Sequence, residues 1–196
     1  MLLETISIIL ATVNGDSPDS SGDRRPQERV KRINTAIGTS QRQLTGQHIG
    51  RMGELLVQYE LLRLGIDSSP MTTDSGIDLV AYSPDKRRSF TIQVKANLAP
   101  KPGGGKGAPA IDWWVDEDCP AEWIAFVDIS TRRVWMLRRQ ELDTIAQQRS
   151  NRKLHLYMYT DPDAGPRAYE RNGDSRFSEY LFEKRISILC NGNSKL

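Results

Sequence analysis

The chain has 196 residues, with 27 lysines and arginines against 25 aspartates and glutamates, which gives a formal net charge of +2. This near balance excludes a strongly basic protein, so any affinity for nucleic acid must come from a local patch. The two cysteines, Cys119 and Cys190, lie far apart and lack metal-ligand spacing. They argue against a disulfide framework and against a zinc site, and they favour a reducing compartment.

The chain opens with an apolar segment, Met1 to Val13, that is too short to span a bilayer and has no basic leader. A stretch rich in Ser, Asp, Pro and Gly follows at Asn14 to Gly22 and has the composition of a linker. We therefore expect residues 1–40 to form an N-terminal segment and linker. Because no later segment approaches membrane length, we expect a cytoplasmic protein without a membrane partner.

The strongest helical pattern runs from Gln47 to Leu64. Its apolar residues recur every three or four positions, which predicts the buried stripe of an amphipathic helix. The stripe consists of Ile49, Met52, Leu55, Leu56, Tyr59 and Leu62. Glu54 lies on the opposite, more polar stripe, and Gly65 is placed to end the helix.

Two glycines lie in the first half of this helix, Gly50 and Gly53. Each weakens a helix by about 1 kcal/mol relative to alanine. We therefore expect another part of the chain to approach the helix backbone closely at these positions, where a side chain would not fit.

A pair of strands joined by a polar turn is predicted next, at residues 77–82 and 90–96, because both segments alternate with period two. If Tyr82 pairs with Ser89, then Asp78 lies across from Gln93, with Lys95 beside them. A slip of one residue would send every side chain to the opposite face. A carboxylate, an amide and an ammonium group on one patch make a poor core, but they suit a metal ion and a phosphate.

The rest of the chain is predicted to form loops, strands and helices. Residues 97–108 are rich in Gly and Pro and predict a flexible loop, and residues 112–122 predict a solvated acidic loop. Strands are predicted at 123–129, 133–137 and 154–159, with a helix at 140–149. Residues 176–190 predict a helix that ends in a strand at 186–189. Trp113 and Trp114 suit either the core or the stacking of bases.

Together these elements predict an α/β fold with a central mixed β-sheet flanked by helices. We expect the main domain to span residues 41–165, with residues 166–196 forming a C-terminal extension that packs on the core.

Three parts of the pattern, in order, resemble the PD-(D/E)xK nuclease superfamily, which includes restriction endonucleases and archaeal Holliday junction resolvases. They are Gly53-Glu54 on the helix, Gly76-Ile77-Asp78 at the first strand and Gln93-Val94-Lys95 on the second. The resemblance covers residues 47–137 and implies a restriction-endonuclease-like core (αβββαβ). It departs from the superfamily at two positions, where Ile77 replaces proline and Gln93 replaces an acidic residue.

The resemblance implies that Glu54, Asp78 and Gln93 bind Mg²⁺, with Mn²⁺ as a substitute, and that the main-chain carbonyl of Val94 is a further ligand. It also implies that Lys95 is the catalytic lysine. The chemistry agrees, because Mg²⁺ prefers oxygen ligands and usually takes only one or two carboxylates beside water and substrate phosphate. Taken singly, Glu54 would be a solvated helix residue and Lys95 an edge-strand charge.

A local excess of positive charge surrounds the predicted lysine, because residues 86–106 hold six basic residues and no acidic one. We expect these residues to contact the phosphate backbone of DNA and to make binding dependent on salt. The predicted contacts, Lys95 apart, are Lys86, Arg87, Arg88, Lys101 and Lys106.

The sequence therefore predicts a Mg²⁺-dependent endonuclease that hydrolyses phosphodiester bonds in double-stranded or branched DNA. The alternative is a module of the same fold that binds DNA or a protein partner without cutting, because Gln93 removes one negative charge from the site. RNA cleavage is a third option. The oligomeric state, a homodimer included, remains open.

Overall fold

The computed structural model describes residues 44–73, 75–83, 85 and 87–191. The predicted N-terminal segment and Lys86 lie outside the described residues. The helices are α1 (Gly46–Arg63), α2 (Arg139–Ile145), α3 (Pro166–Asn172) and α4 (Phe182–Asn191), with 3-10 turns at Gly103–Gly105 and Asp174–Tyr180. The strands are β1 (Ser68–Pro70), β2 (Leu79–Tyr82), β3 (Ser89–Asn97), β4 (Lys101–Pro102), β5 (Pro109–Asp116), β6 (Trp123–Asp128), β7 (Arg133–Arg138), β8 (Gln148–Ser150) and β9 (Lys153–Tyr159).

The strands form two sheets. A central five-stranded sheet has the order β1-β2-β3-β6-β7, in which β3 and β6 are parallel and the other neighbours are antiparallel. A second, antiparallel sheet has the order β4-β5-β9-β8. The prediction of an α/β fold with a mixed central sheet flanked by helices is therefore confirmed.

Both faces of the central sheet are covered. One face packs against α1 and α4 through residues such as Val57, Leu61 and Phe182. The other face packs against the second sheet through residues such as Ile111 and Trp113. Strand β6 is buried along its whole length, as expected for a strand covered on both sides.

Helix α1 begins and ends within one residue of the predicted bounds, 47–64. Thr45 caps its start, where Oγ1 accepts a hydrogen bond from the His48 N–H at 3.4 Å. Gly65 has φ of +73°, and the next N–H, that of Ile66, donates to the Leu61 carbonyl at 3.0 Å. This is the left-handed turn that glycine adopts at helix ends.

The predicted buried stripe of α1 is wrong. Leu55 is 51% exposed and Tyr59 is 60% exposed, whereas the buried residues are Gly53, Val57 and Leu61. The reason is the close packing at Gly53, where an added Cβ would lie 2.5 Å from Ala96 Cβ. Because that contact needs a glycine, it turns the Gly53 face of the helix toward β3 and the larger apolar residues toward solvent.

Two further expectations are corrected. Residues 186–189 belong to α4 and are not a strand; a short apolar run fits either element, and here Leu189 is buried in the helix-covered core. The acidic segment 112–122 begins with strand β5 and is not all loop. Within β5, the buried residues Ile111, Trp113 and Val115 alternate with the less buried Asp112 and Trp114.

Within the residues that the structure describes, no helix combines the length and the apolar character needed to cross a membrane.

The two glycines of α1 give a direct test of the packing against β3. The free energy of unfolding should be about 1–3 kcal/mol lower for Gly53→Ala than for Gly50→Ala. Only the methyl group added at position 53 overpacks a contact. The Gly50 position has no atom within 4 Å of an added Cβ. Gly50→Ala should therefore stabilise the protein by up to about 1 kcal/mol, the helix preference of alanine.

Urea unfolding followed by tryptophan fluorescence measures both variants. Equal stabilities for Gly53→Ala and Gly50→Ala would contradict the packing.

Candidate functional site

The register of the β2–β3 pair places Asp78 at the centre of the candidate site. Tyr82 pairs with Ser89 and Leu79 pairs with Ile92, which is the register that the sequence analysis considered. Asp78 directly precedes β2, and its N–H donates to the Ile92 carbonyl at 2.9 Å. Its Oδ2 accepts a hydrogen bond of 2.6 Å from the Val94 N–H. The Asp78 carboxylate is therefore hydrogen-bonded to the peptide group that joins Gln93 to Val94.

Gln93 is the most enclosed member of the site. It is only 5% exposed, and its Oε1 lies 3.3 Å from the Cys119 thiol, which is the donor. The same thiol also reaches the Gly76 carbonyl at 3.6 Å. A Cβ on Gly76 would meet Pro120 Cδ at 2.9 Å, so the segment with Cys119 and Pro120 packs tightly over the turn that leads to Asp78.

The electrostatic environment around Gln93 favours neutral groups. Burial raises the pKa of the Cys119 thiol above its usual value, and a backbone hydrogen bond from Ala121 and the charges of Arg139 and Lys95 offset this only in part. Cys119 is therefore a neutral thiol that donates to a neutral amide. A carboxylate in place of Gln93 would lose solvation there unless a cation accompanied it.

Glu54 belongs to α1, which packs on the face of β3 that carries Val94 and Ala96, opposite the face of Gln93 and Lys95. The preceding residue, Gly53, lies against Val94 and Ala96 of β3, so Glu54 follows the point where helix and strand are closest. Its side chain is 25% exposed, and its Oε2 pairs with Nη1 of Arg51 at 2.7 Å. One carboxylate oxygen of Glu54 is therefore bound to an arginine of the same helix.

Lys95 follows Gln93 and Val94 on the same strand and is half-buried. It lines an open depression of about 310 Å³ together with Asn97, Lys101, Asp112 and two tryptophans. The Asn97 side-chain amide donates to the Asp112 carbonyl, which ties β3 to the second sheet. Lys95 therefore faces a groove between the two sheets.

The residues present include hard oxygen donors for Mg²⁺: the carboxylates of Asp78 and Glu54, the amide oxygen of Gln93 and the Val94 carbonyl. No group of three or more His, Cys, Asp or Glu side chains that could hold a metal ion occurs among the described residues. The donor set therefore fits Mg²⁺ only if neutral oxygens, water or substrate phosphate complete it.

The predicted DNA contacts fall in two places. Arg87 and Arg88 belong to the turn before β3, seven or eight residues from Lys95, which corresponds to about 23–26 Å at roughly 3.3 Å per residue. Each of these arginines has an acidic neighbour. Nε of Arg87 lies 3.9 Å from Oδ2 of Asp85, and Nη1 of Arg88 lies 3.8 Å from Oε1 of Glu122.

Lys101 and Lys106 lie in the segment after β3, and both are exposed. Lys101 lines the groove that also contains Lys95, so it is the predicted contact that lies at the candidate site.

Sequence reasoning missed two features of this region. The first is Cys119, which covers Gln93 from 26 positions along the chain, and no local pattern indicates such a contact. The second is a group of aromatic residues on β9. Its signal was present, because His155, Tyr157 and Tyr159 alternate with Leu154, Leu156 and Met158.

Comparison with known protein families and with curated proteins finds no match. Among solved structures, the chain is similar to the bacterial homing endonuclease I-Ssp6803I, with 11% sequence identity and a TM-score of 0.45. The match covers 76% of this chain and 94% of that protein. This likeness is too distant to define the fold or the activity of the present chain.

The environment of Cys119 can be tested by its reactivity. In a Cys190→Ser variant, Cys119 should react with a disulfide reagent about tenfold or more slowly in the native state than in urea, because only an accessible thiolate reacts. Since burial raises the thiol pKa, the native rate should begin to rise at a higher pH than the rate in urea. Absorbance of the released thiol measures both rates, and coincident pH profiles would contradict the buried, neutral thiol.

Proposed function

We propose that the chain is a metal-dependent endonuclease that hydrolyses phosphodiester bonds in DNA and that α1 and the central sheet are its restriction-endonuclease-like core. The observation that carries the proposal is the position of the Asp78 carboxylate on the Gln93–Val94 peptide, one residue from Lys95. This arrangement supports the proposal because it gathers a metal-binding carboxylate, neutral oxygens and a cation at one point of the sheet.

Asp78 and Glu54 would bind Mg²⁺, with Gln93 and the Val94 carbonyl as neutral donors. When bound, the ion would polarise the scissile phosphate and lower the pKa of a coordinated water. Two carboxylates suffice for a site that substrate phosphate completes. We therefore expect weak binding of Mg²⁺ by the free protein and stronger binding in the presence of DNA.

Lys95 would act on the attacking water and on the phosphate. Its ammonium group can donate hydrogen bonds to the water and to a phosphate oxygen, which orients the water and stabilises the charge that develops in the transition state. Because Lys95 lies on the rigid β3 strand, covered by α1 on one face and by the second sheet on the other, its position needs little reorganisation during the reaction.

DNA is the substrate that the basic groups favour. Lys101 lines the same groove as Lys95, and Lys106 is exposed on the glycine-rich turn that follows it. These two lysines would contact the phosphate backbone near the cleavage point, so binding should weaken as salt rises. Double-stranded or branched DNA both present such a backbone.

A second function is favoured by one observation. Gln93 is buried and its side-chain oxygen already accepts the Cys119 thiol hydrogen bond. If that contact persists with DNA bound, the site lacks a donor, and the chain would bind DNA or a protein partner without cutting. Cleavage in Mg²⁺ or Mn²⁺ distinguishes the two functions, because a binding module would shift DNA in a gel in EDTA and leave it intact with either metal.

The endonuclease proposal is tested by nicking of supercoiled plasmid in Mg²⁺, with EDTA as the blank. Asp78→Asn and Lys95→Met should each reduce nicking about a hundredfold or more, because each removes a group that acts on the transition state. Matched changes at exposed sites, Asp163→Asn and Lys184→Met, should retain activity.

Circular dichroism should show that all four variants are folded. Nicking at the wild-type rate by purified Asp78→Asn or Lys95→Met would end the proposal.

A further inference from the structure

The second sheet has an outer face that the proposed catalytic chemistry does not use. Its inner face is apolar and buried against the central sheet. On the outer face, a row of aromatic rings follows the β5–β9 pair. The row consists of Trp114, His155, Tyr157 and Tyr159, held by the pairs Trp114↔His155, Asp112↔Tyr157 and Ala110↔Tyr159.

The rings of this row contact one another in sequence. Trp114 and His155 stack with centroids 4.0 Å apart and planes 4° from parallel. The His155 and Tyr157 centroids are 5.5 Å apart, and Tyr157 meets Tyr159 edge to face at 5.8 Å. The row is therefore continuous over about three residue pairs of the sheet.

Polar contacts fix the middle of the row. The Nε2 atom of His155 lies 2.9 Å from Oδ2 of Asp112, and its Nδ1 lies 3.3 Å from Oε1 of Gln148. The Tyr157 hydroxyl accepts a hydrogen bond from the Asn172 amide at 3.2 Å. Rings that are held in this way present their faces with little loss of side-chain entropy on binding a ligand.

A pocket of about 220 Å³ opens on this row, between the turn at Lys101–Gly104 and the rings of His155, Tyr157 and Tyr159. It is smaller than the roughly 300–1,000 Å³ of pockets for drug-sized ligands, so it suits a single ring system. Asp112 and Gln148 also line it. They supply a carboxylate and an amide, groups that pair with the donor and acceptor edge of a nucleobase.

The pocket adjoins the groove of the candidate active site. Lys101 and Asp112 line both the pocket and the depression that contains Lys95. Trp114, 38% exposed, also lines that depression. A strand whose phosphates follow Lys95 and Lys101 would therefore bring a base to the aromatic row.

We propose that this pocket binds an unpaired nucleobase of the DNA, a proposal that rests on DNA being the substrate of the Lys95 site. A paired base is excluded by the size of the pocket, whereas an unpaired base offers two faces for stacking. Stacking of one base on an aromatic side chain is worth about 5- to 150-fold in affinity. The preference for an unpaired base would direct the protein to bulged, branched or single-stranded DNA.

The experiment compares the affinity of two labelled duplexes in EDTA at fixed salt, by fluorescence anisotropy. One duplex carries a bulged thymine and the other carries a bulged abasic residue at the same position, so that they differ only by the base. A pair of single strands, with and without an abasic residue, distinguishes a bulged base from a base of a single strand.

In at least one pair, the wild-type protein should bind the DNA with the base about tenfold or more tightly than the DNA with the abasic residue. Tyr157→Leu and Tyr159→Leu should reduce that preference toward one. Tyr157→Phe should retain it, because it keeps the ring and loses only the hydroxyl contact with Asn172. Tyr59→Leu, at an exposed tyrosine of α1, should retain it as well.

Equal affinity of the wild type for both members of each pair would overturn the nucleobase pocket, as would a preference that survives both leucine variants. Because cleavage is not measured in EDTA, a protein that fails to nick plasmid but shows the base preference would contradict only the endonuclease proposal. Failure to bind any of the oligonucleotides would overturn the pocket and the DNA substrate together.

Discussion

The hydrogen bond from the Val94 N–H to the Asp78 carboxylate joins the two strands that carry the candidate site. It occurs only in the register in which Tyr82 pairs with Ser89. A slip by one residue would move the buried Phe90 and Ile92 to the face of Thr91, Gln93 and Lys95, and would turn those polar side chains toward α1. The apolar core and the site are therefore specified by the same register, and neither can change without the other.

Two further contacts with β3 lie near that hydrogen bond, one made by α1 and one by the segment with Cys119. Helix α1 packs against β3 through Gly53, the residue before the charged Glu54. The segment with Cys119 covers Gln93 with a neutral thiol. An uncharged amide suits that enclosed position, because an unpaired carboxylate there would lose its solvation. In the proposed function, the choice between binding and cleavage would depend on whether a cation and DNA draw Gln93 away from Cys119.

The parts of the structure that local rules govern could be predicted from the sequence. The strand pair and the end of α1 at Gly65 follow from alternation, turn composition and the backbone freedom of glycine, whereas the register entered the prediction only as a condition. The buried face of α1 could not, because Gly53 adds nothing to an apolar stripe and yet makes the closest contact. The contact of Cys119 with Gln93 depends on chain segments 26 residues apart, which periodicity does not reveal. The alternation of aromatic and apolar residues on β9 was visible in the sequence. The pocket beside these rings was not, because the second sheet forms it.

The central claim is that Asp78, Glu54, Gln93 and the Val94 carbonyl form one cation site. Anomalous diffraction from crystals soaked in Mn²⁺ tests it most directly. We expect one strong peak between the two carboxylates and the Val94 carbonyl, which bound DNA should strengthen and which should be absent from crystals of Asp78→Ala. A DNA-bound crystal with Lys95 at the backbone and no peak beside Asp78, or a peak that survives in Asp78→Ala, would contradict it.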